Sequence, residues 1–187
     1  MKRRRVFTGL AIGCASLPLV ILWVFASVIG AWLVFDDVVS IDIAKYNEDL
    51  AKISALDPER QSDLALVFLP ELDTLPPHER LQYRWKKDVA LLSNIYTVYV
   101  VVTYNEATYA AQKEELLALE LGEQCELGSF EFHVRQESYI PKSIGFLGFS
   151  DTQRKVAYLY FFDHELDVFS PSPVEAFIVH YFSYNFS

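Results

Sequence analysis

The sequence predicts an α+β fold carried behind one N-terminal transmembrane helix. Three observations predict it. Val6 to Phe35 contains no charged side chain and directly follows Lys2, Arg3, Arg4 and Arg5. Short stretches of alternating or continuous apolar residues, several separated only by turn residues, indicate strands in mostly antiparallel pairing. Three further stretches place apolar residues at helical spacing. The expected architecture is a transmembrane helix, then a mostly antiparallel sheet of about six strands with about three helices on one face. Residues 1–5 form a basic cytoplasmic tail, 6–35 the transmembrane helix acting as a signal anchor, and 36–187 an extracytoplasmic domain.

The spanning helix comes first. Its densest part, Leu17 to Phe35, has nineteen residues, twelve of them Leu, Ile, Val or Phe. At 1.5 Å per residue this is about 28 Å, close to the hydrocarbon thickness of a bilayer. The twelve residues together favour insertion by roughly 4–7 kcal/mol. Basic residues stay on the cytoplasmic side, so the N-terminus is expected inside and 36–187 outside. Trp32 suits the outer interface, and membrane helices tolerate a proline such as Pro18. Two other fates have partial signatures. Val24-Phe25-Ala26 resembles a cleavage site, although the apolar run before it exceeds a usual signal core. Ala11-Ile12-Gly13-Cys14 resembles a lipidation box, although the apolar run continues far past Cys14.

The outer elements follow in order. Asp36 to Ser40 reads as the exit from the membrane, with Ser40 as N-cap of a helix to about Ala55. Ile43, Tyr46, Leu50 and Ile53 form its apolar stripe, expected to pack on the sheet, and Asp57-Pro58 ends it. Leu64–Leu69 reads as a short strand closed by Pro70, and Glu71–Glu79 as a loop. Leu81, Tyr83 and Trp85 alternate with polar residues in a half-buried strand. Tyr96–Tyr104 is β-branched and aromatic enough for the centre of a sheet. Asn105 caps a helix from Glu106 to about Leu121, stopped by Gly122. Phe130, Phe132 and Val134 alternate with Glu131, His133 and Arg135 in another half-buried strand. Ile144–Phe149 and Lys155–Phe162 flank Ser150–Arg154 as a hairpin. Ser172-Pro173-Val174-Glu175 reads as a capping box, with Val174, Phe177, Ile178 and Tyr181 on the last helix's apolar face.

Composition narrows the function classes. All 25 acidic residues lie beyond residue 35, against 12 of the 16 basic ones, so the outer part carries a formal charge of −13. Such a surface repels nucleic acid, and no nucleic-acid partner is expected. Of the two cysteines, Cys14 lies in the membrane run, so Cys125 has no disulfide partner in its own domain. That suits a bacterial envelope protein.

Candidate sites are few. Glu131 and His133 point the same way from one strand and could form half of a metal site, with Asp163-His164-Glu165-Leu166-Asp167 as the other half. The bland alternative, a solvated strand face and an acidic loop, is favoured, because Val168 stands where a zinc-protease motif needs a second histidine. Cys125 could be a nucleophile, but Glu123 and Glu126 would raise its pKa. Gly145 and Gly148 read as points of close packing or a bulge. Arg80, Arg84, Trp85, Lys86 and Lys87 form the one basic cluster outside, suited to an anionic polymer, headgroup or acidic partner. A solvated strand face with lysines guarding an edge is the plainer reading.

No catalytic, metal-binding or cofactor residue is assigned. The expected function is a non-enzymatic, membrane-anchored binding module of the cell envelope. Its partners are the lipid bilayer, through 6–35, and a protein or envelope polymer. The alternatives are a small extracytoplasmic hydrolase using carboxylates with His133 or His164, or an accessory subunit of a membrane complex.

Overall fold

The computed structural model describes residues 38–54, 68–90, 93–119, 121–135, 143–163 and 173–187. The chain divides into two units, Met1–Asp36 and Asp37–Ser187. The first, including the 6–35 run, Cys14 and Ala26, lies outside the described residues. Among the described residues no helix is long and apolar enough to cross a membrane.

The elements are β1 (Val38–Ser40), a 3-10 turn (Ile43–Lys45), α1 (Tyr46–Ser54), β2 (Arg80–Ala90), β3 (Ser93–Thr103), α2 (Glu106–Leu117), β4 (Gln124–Leu127), β5 (Phe130–Arg135), β6 (Ser143–Ser150), β7 (Lys155–Asp163) and α3 (Val174–Tyr181). The fold is α+β. Its strands form one sheet in the order β1-β2-β3-β7-β6-β5-β4, and every neighbouring pair is antiparallel. The described residues hold seven strands where about six are expected. β3 is interior, as its composition requires, but β7 occupies the midpoint.

Two strands differ from the sequence reading because they are short edges. Val38–Ser40 pairs with Lys87–Trp85, so Ser40 ends a strand and does not cap a helix. Asp42 takes over that role, its Oδ1 accepting from the Ala44 amide at 3.1 Å. At the far edge, Gln124–Leu127 pairs with His133–Phe130. Too few residues are present in either to show a period. Of the strand expected over Leu64–Leu69, only Phe68 and Leu69 are described, and neither is in a strand.

The helices lie on both faces of the sheet, not on one. On one face, Tyr46, Leu50 and Ile53 of α1 and Tyr109 of α2 share a core with Tyr83, Trp85, Val98, Val100, Leu147, Phe149 and Tyr158. On the other, Val174 and Ile178 of α3, with Phe182 and Phe186 of the tail, share a core with Val101, Phe130, Phe132, Phe146, Leu159 and Phe161. The physical reason is visible in β6 and β7. Every residue of each is buried beyond its first, so neither strand has a polar side to leave in water.

Caps and turns complete the frame. Asn105 caps α2, its side-chain oxygen accepting from the Thr108 amide at 2.9 Å. The helix stops at Leu117, short of the expected Leu121. Pro173 is the N-cap of α3 and makes no side-chain cap bond, one position before the first helical residue it was read as. Ser172 is outside the described residues. The β6–β7 hairpin stands as expected, with Arg154 at φ 52° in its turn. In β6 the glycines allow close packing. A side-chain carbon at Gly148 would lie 2.2 Å from the Phe132 ring on the neighbouring strand.

Candidate functional site

The alternation of β2 splits the basic cluster. Leu81, Tyr83, Trp85 and Lys87 project toward α1, while Arg80, Gln82, Arg84 and Lys86 project to the opposite face. Trp85 is buried against Tyr96, with Lys52 over its ring at 5.5 Å. Lys87 sits 5.5 Å over the Tyr96 ring. The five residues therefore do not make one patch. What remains on the second face is a row of Arg80, Arg84 and Lys86. Lys86 is ion-paired with Asp88. Arg84 lies opposite Tyr99, whose phenol is held above the ordinary tyrosine range by burial, with the Arg84 charge opposing the shift. Gln82 accepts from Tyr184 Oη at 3.1 Å. Arg80 and Arg84, four apart on the strand, are about 13 Å apart, and Lys86 lies about 7 Å beyond Arg84, a row along which an extended anionic chain could run.

The His133 pair is differently placed from its expected solvated face. His133 is 7% exposed and stacks edge-on with Phe149. Its Nε2 lies 3.0 Å from Glu131 Oε1, without the alignment of a hydrogen bond. Asp163 is buried at the end of β7, opposite Ile95 and two residues after Phe161, on the face that carries α3. His133 projects to the face that carries α1, so strand alternation puts the sheet between the two. His164, Glu165 and Asp167 lie outside the described residues. Among the described residues no group of three His, Cys, Asp or Glu side chains could hold a metal.

Cys125 is half-buried in β4, and its thiol is pushed up by burial, then by Glu175 and Glu123. The direction is the one the sequence suggests; Glu126 plays no part, and Glu175 of α3 takes its place.

Among the described residues, the cavities open to solvent include two of note. One, of about 730 Å3, lies between α2 and the β6–β7 turn and includes Tyr109, Lys113, Asp151 and Arg154 in its lining. Asp151 Oδ1 accepts from Tyr109 Oη at 2.6 Å and from Lys113 Nζ at 2.7 Å. Those two bonds hold the carboxyl below the usual aspartate range, while burial and Asp151 push the Tyr109 phenol up. A phenol held protonated does not serve as a base at neutral pH, and the trio fastens α2 to the hairpin. The other cavity, of about 520 Å3, is lined by Ile41, Asp42, Ile43, Leu72, His78, Leu81 and Tyr83. Neither His133 nor Glu131 lines either one.

The second cavity opens beside a cluster of exposed aliphatics that sequence reasoning missed. Val38, Val39, Ile41 and Ile43 all lie on the surface at the β1 edge. Ile43 was expected in the buried stripe of the first helix, yet it sits in the 3-10 turn before α1 and is 41% exposed. The available signal was the density of β-branched residues between Val38 and Ile43, which suits a strand better than a helix start.

Compared with family models, with curated proteins and with solved structures, the chain matches none.

Proposed function

We propose that this chain is a single-pass membrane protein whose domain outside the cytoplasmic membrane is a non-enzymatic binding module of the cell envelope. The observation that carries the reading is the uncharged run Val6–Phe35 directly behind Lys2–Arg5. Such a run is a stable membrane anchor, and the basic end stays in the cytoplasm. The domain's charged groups support a binding role over a catalytic one. Asp49, Asp151 and Glu131 each face a partner within the fold, and Cys125 and Tyr109 are shifted away from reactivity.

The binding row is Arg80 and Arg84 on β2, and the partner is an anionic protein segment or envelope polymer. Arg80 is exposed and Arg84 half-buried. A charge-assisted hydrogen bond contributes roughly 1.5–3 kcal/mol, so losing one weakens binding about tenfold or more. The test is retention of an envelope-extract component by the tagged full chain in detergent. Arg80→Glu with Arg84→Glu is expected to abolish retention, and Lys113→Glu on the α2 side to leave it unchanged. Equal retention by the wild type and the double variant would remove the row from the binding role.

A further inference from the structure

We propose that Val38–Ile43, at the free edge of the sheet, is a membrane seat whose aliphatic side chains lie in the interfacial layer of the bilayer that holds residues 6–35. This rests on the anchor reading and adds where the domain touches the lipid.

Seven large hydrophobic residues are exposed among the described residues, and four of them fall within six positions. Val38 is 50% exposed, Val39 46%, Ile41 74% and Ile43 41%. Single exposed aliphatics are ordinary, but a group marks a contact surface; alternation sends Val38 and Val39 to opposite faces of β1, so the apolar surface wraps both sides of the free edge. The group continues into the 520 Å3 cavity, where Ile41 and Ile43 meet Leu72 and Leu81. It also lies on an edge strand. An apolar edge in water invites pairing with other chains, and proteins normally cover it or charge it.

Chain length decides what covers this one. Phe35 closes the apolar run and Val38 opens β1, three residues later. Fully extended, three residues reach at most about 11 Å. The interfacial layer on each side of a bilayer is roughly 5–8 Å deep. If residues 6–35 span the membrane, β1 therefore starts in that layer or at its surface, where headgroups are the nearest solvent. Charge is not the attraction, because the outer part is strongly acidic. Contact is apolar, and a neutral bilayer suffices. The register places Lys87 beside Val38 and Lys86 beside Val39, but Lys87 lies over the Tyr96 ring and Lys86 is paired with Asp88, so the aliphatic side chains carry the contact.

The test uses the full chain with Cys14→Ser and Cys125→Ser, reconstituted in phosphatidylcholine vesicles. One added cysteine, Ile41→Cys or Gln124→Cys, carries an environment-sensitive fluorophore. Gln124 is exposed on β4, six strand spacings or about 29 Å from β1 across the sheet. The Ile41 probe is expected to show a several-fold loss of iodide quenching relative to the Gln124 probe, and quenching by shallow spin-labelled lipid. Equal iodide quenching at the two positions would overturn the seat. Ile43→Cys repeats the measurement at a second surface position, which separates the result from any local disturbance at Ile41. An alkaline carbonate wash distinguishes the two claims. A chain that stays in the vesicles with an iodide-accessible Ile41 probe refutes the seat alone. A chain that washes out refutes the anchor, and the seat with it.

Discussion

Asp49 is the one charged residue on the buried side of α1. It lies in the stripe of Tyr46, Leu50 and Ile53 and is 1% exposed. Tyr83 Oη donates to its Oδ2 at 2.9 Å, and Lys52 Nζ to its Oδ1 at 2.9 Å. Burial alone would raise its pKa; the interactions with Lys52, Ser40 and Tyr83 together outweigh that and hold it below the ordinary aspartate range. A folded-state value below the unfolded one contributes stability that is complete above about pH 4 and is lost as the pH falls through the folded value. Asp49→Asn keeps the shape and removes the charge. It is expected to cost about 1–3 kcal/mol at pH 7 and to flatten the acid limb of the stability curve, as read by urea unfolding in detergent. An unchanged acid limb would place the titrating group elsewhere. Helical spacing puts Asp49 on the polar face beside the stripe of Ile43, Tyr46, Leu50 and Ile53; Tyr46, Leu50 and Ile53 are buried as that spacing requires, and Ile43 is not. With Ile43 outside the helix, the buried arc turns to include Asp49.

At the scale of elements, the C-terminal tail does the work of a further packing layer. Phe186 packs edge-to-face against Phe132 at 5.1 Å and Phe130 at 5.7 Å, and its carbonyl accepts from the Ser129 amide at 2.9 Å. Tyr184 meets Tyr99 at 5.2 Å and Phe130 at 6.3 Å. Phe186→Ala removes a buried ring without filling the gap and is expected to destabilise the domain by about 3–5 kcal/mol. Thermal melting of the full chain checks this; a loss under about 1 kcal/mol, the size of an ordinary surface change, would mean that the tail is not part of the core. The hairpin, the Asn105 cap and the alternation of β2 were legible from residues near in sequence; the polar face expected of β5 was not, since His133 is buried. The tail was not, because its partners on β3 and β5 are more than fifty residues away. The second helical layer was legible in principle. Ile144–Phe149 and Val156–Phe162 carry no alternating polar residues, and a strand with two apolar sides needs cover on both.

At the scale of the whole molecule, the domain class and the strand-rich architecture were readable from composition and period, whereas sheet order was not. The order joins β3 to β7 across the sequence and leaves β1 and β4 as edges. That order brings the segment nearest the apolar run to a free edge, and brings Lys86 and Lys87 next to it. The candidate site changed accordingly. A basic cluster contiguous in sequence is divided by strand alternation, and an apolar edge with no motif of its own becomes the more informative surface. The His133 pairing was unreadable for the same reason, since the face a residue takes at the end of β7 depends on register.

On the proposed function, the chain is fixed in the membrane with residues 36–187 outside. Labelling of Gln124→Cys by a membrane-impermeant maleimide, in the Cys14→Ser, Cys125→Ser chain on intact cells, tests it most directly. Full labelling of the membrane fraction before lysis, with no increase after it, is expected. Labelling that occurs only after the cells are broken would place the domain on the cytoplasmic side and contradict that arrangement.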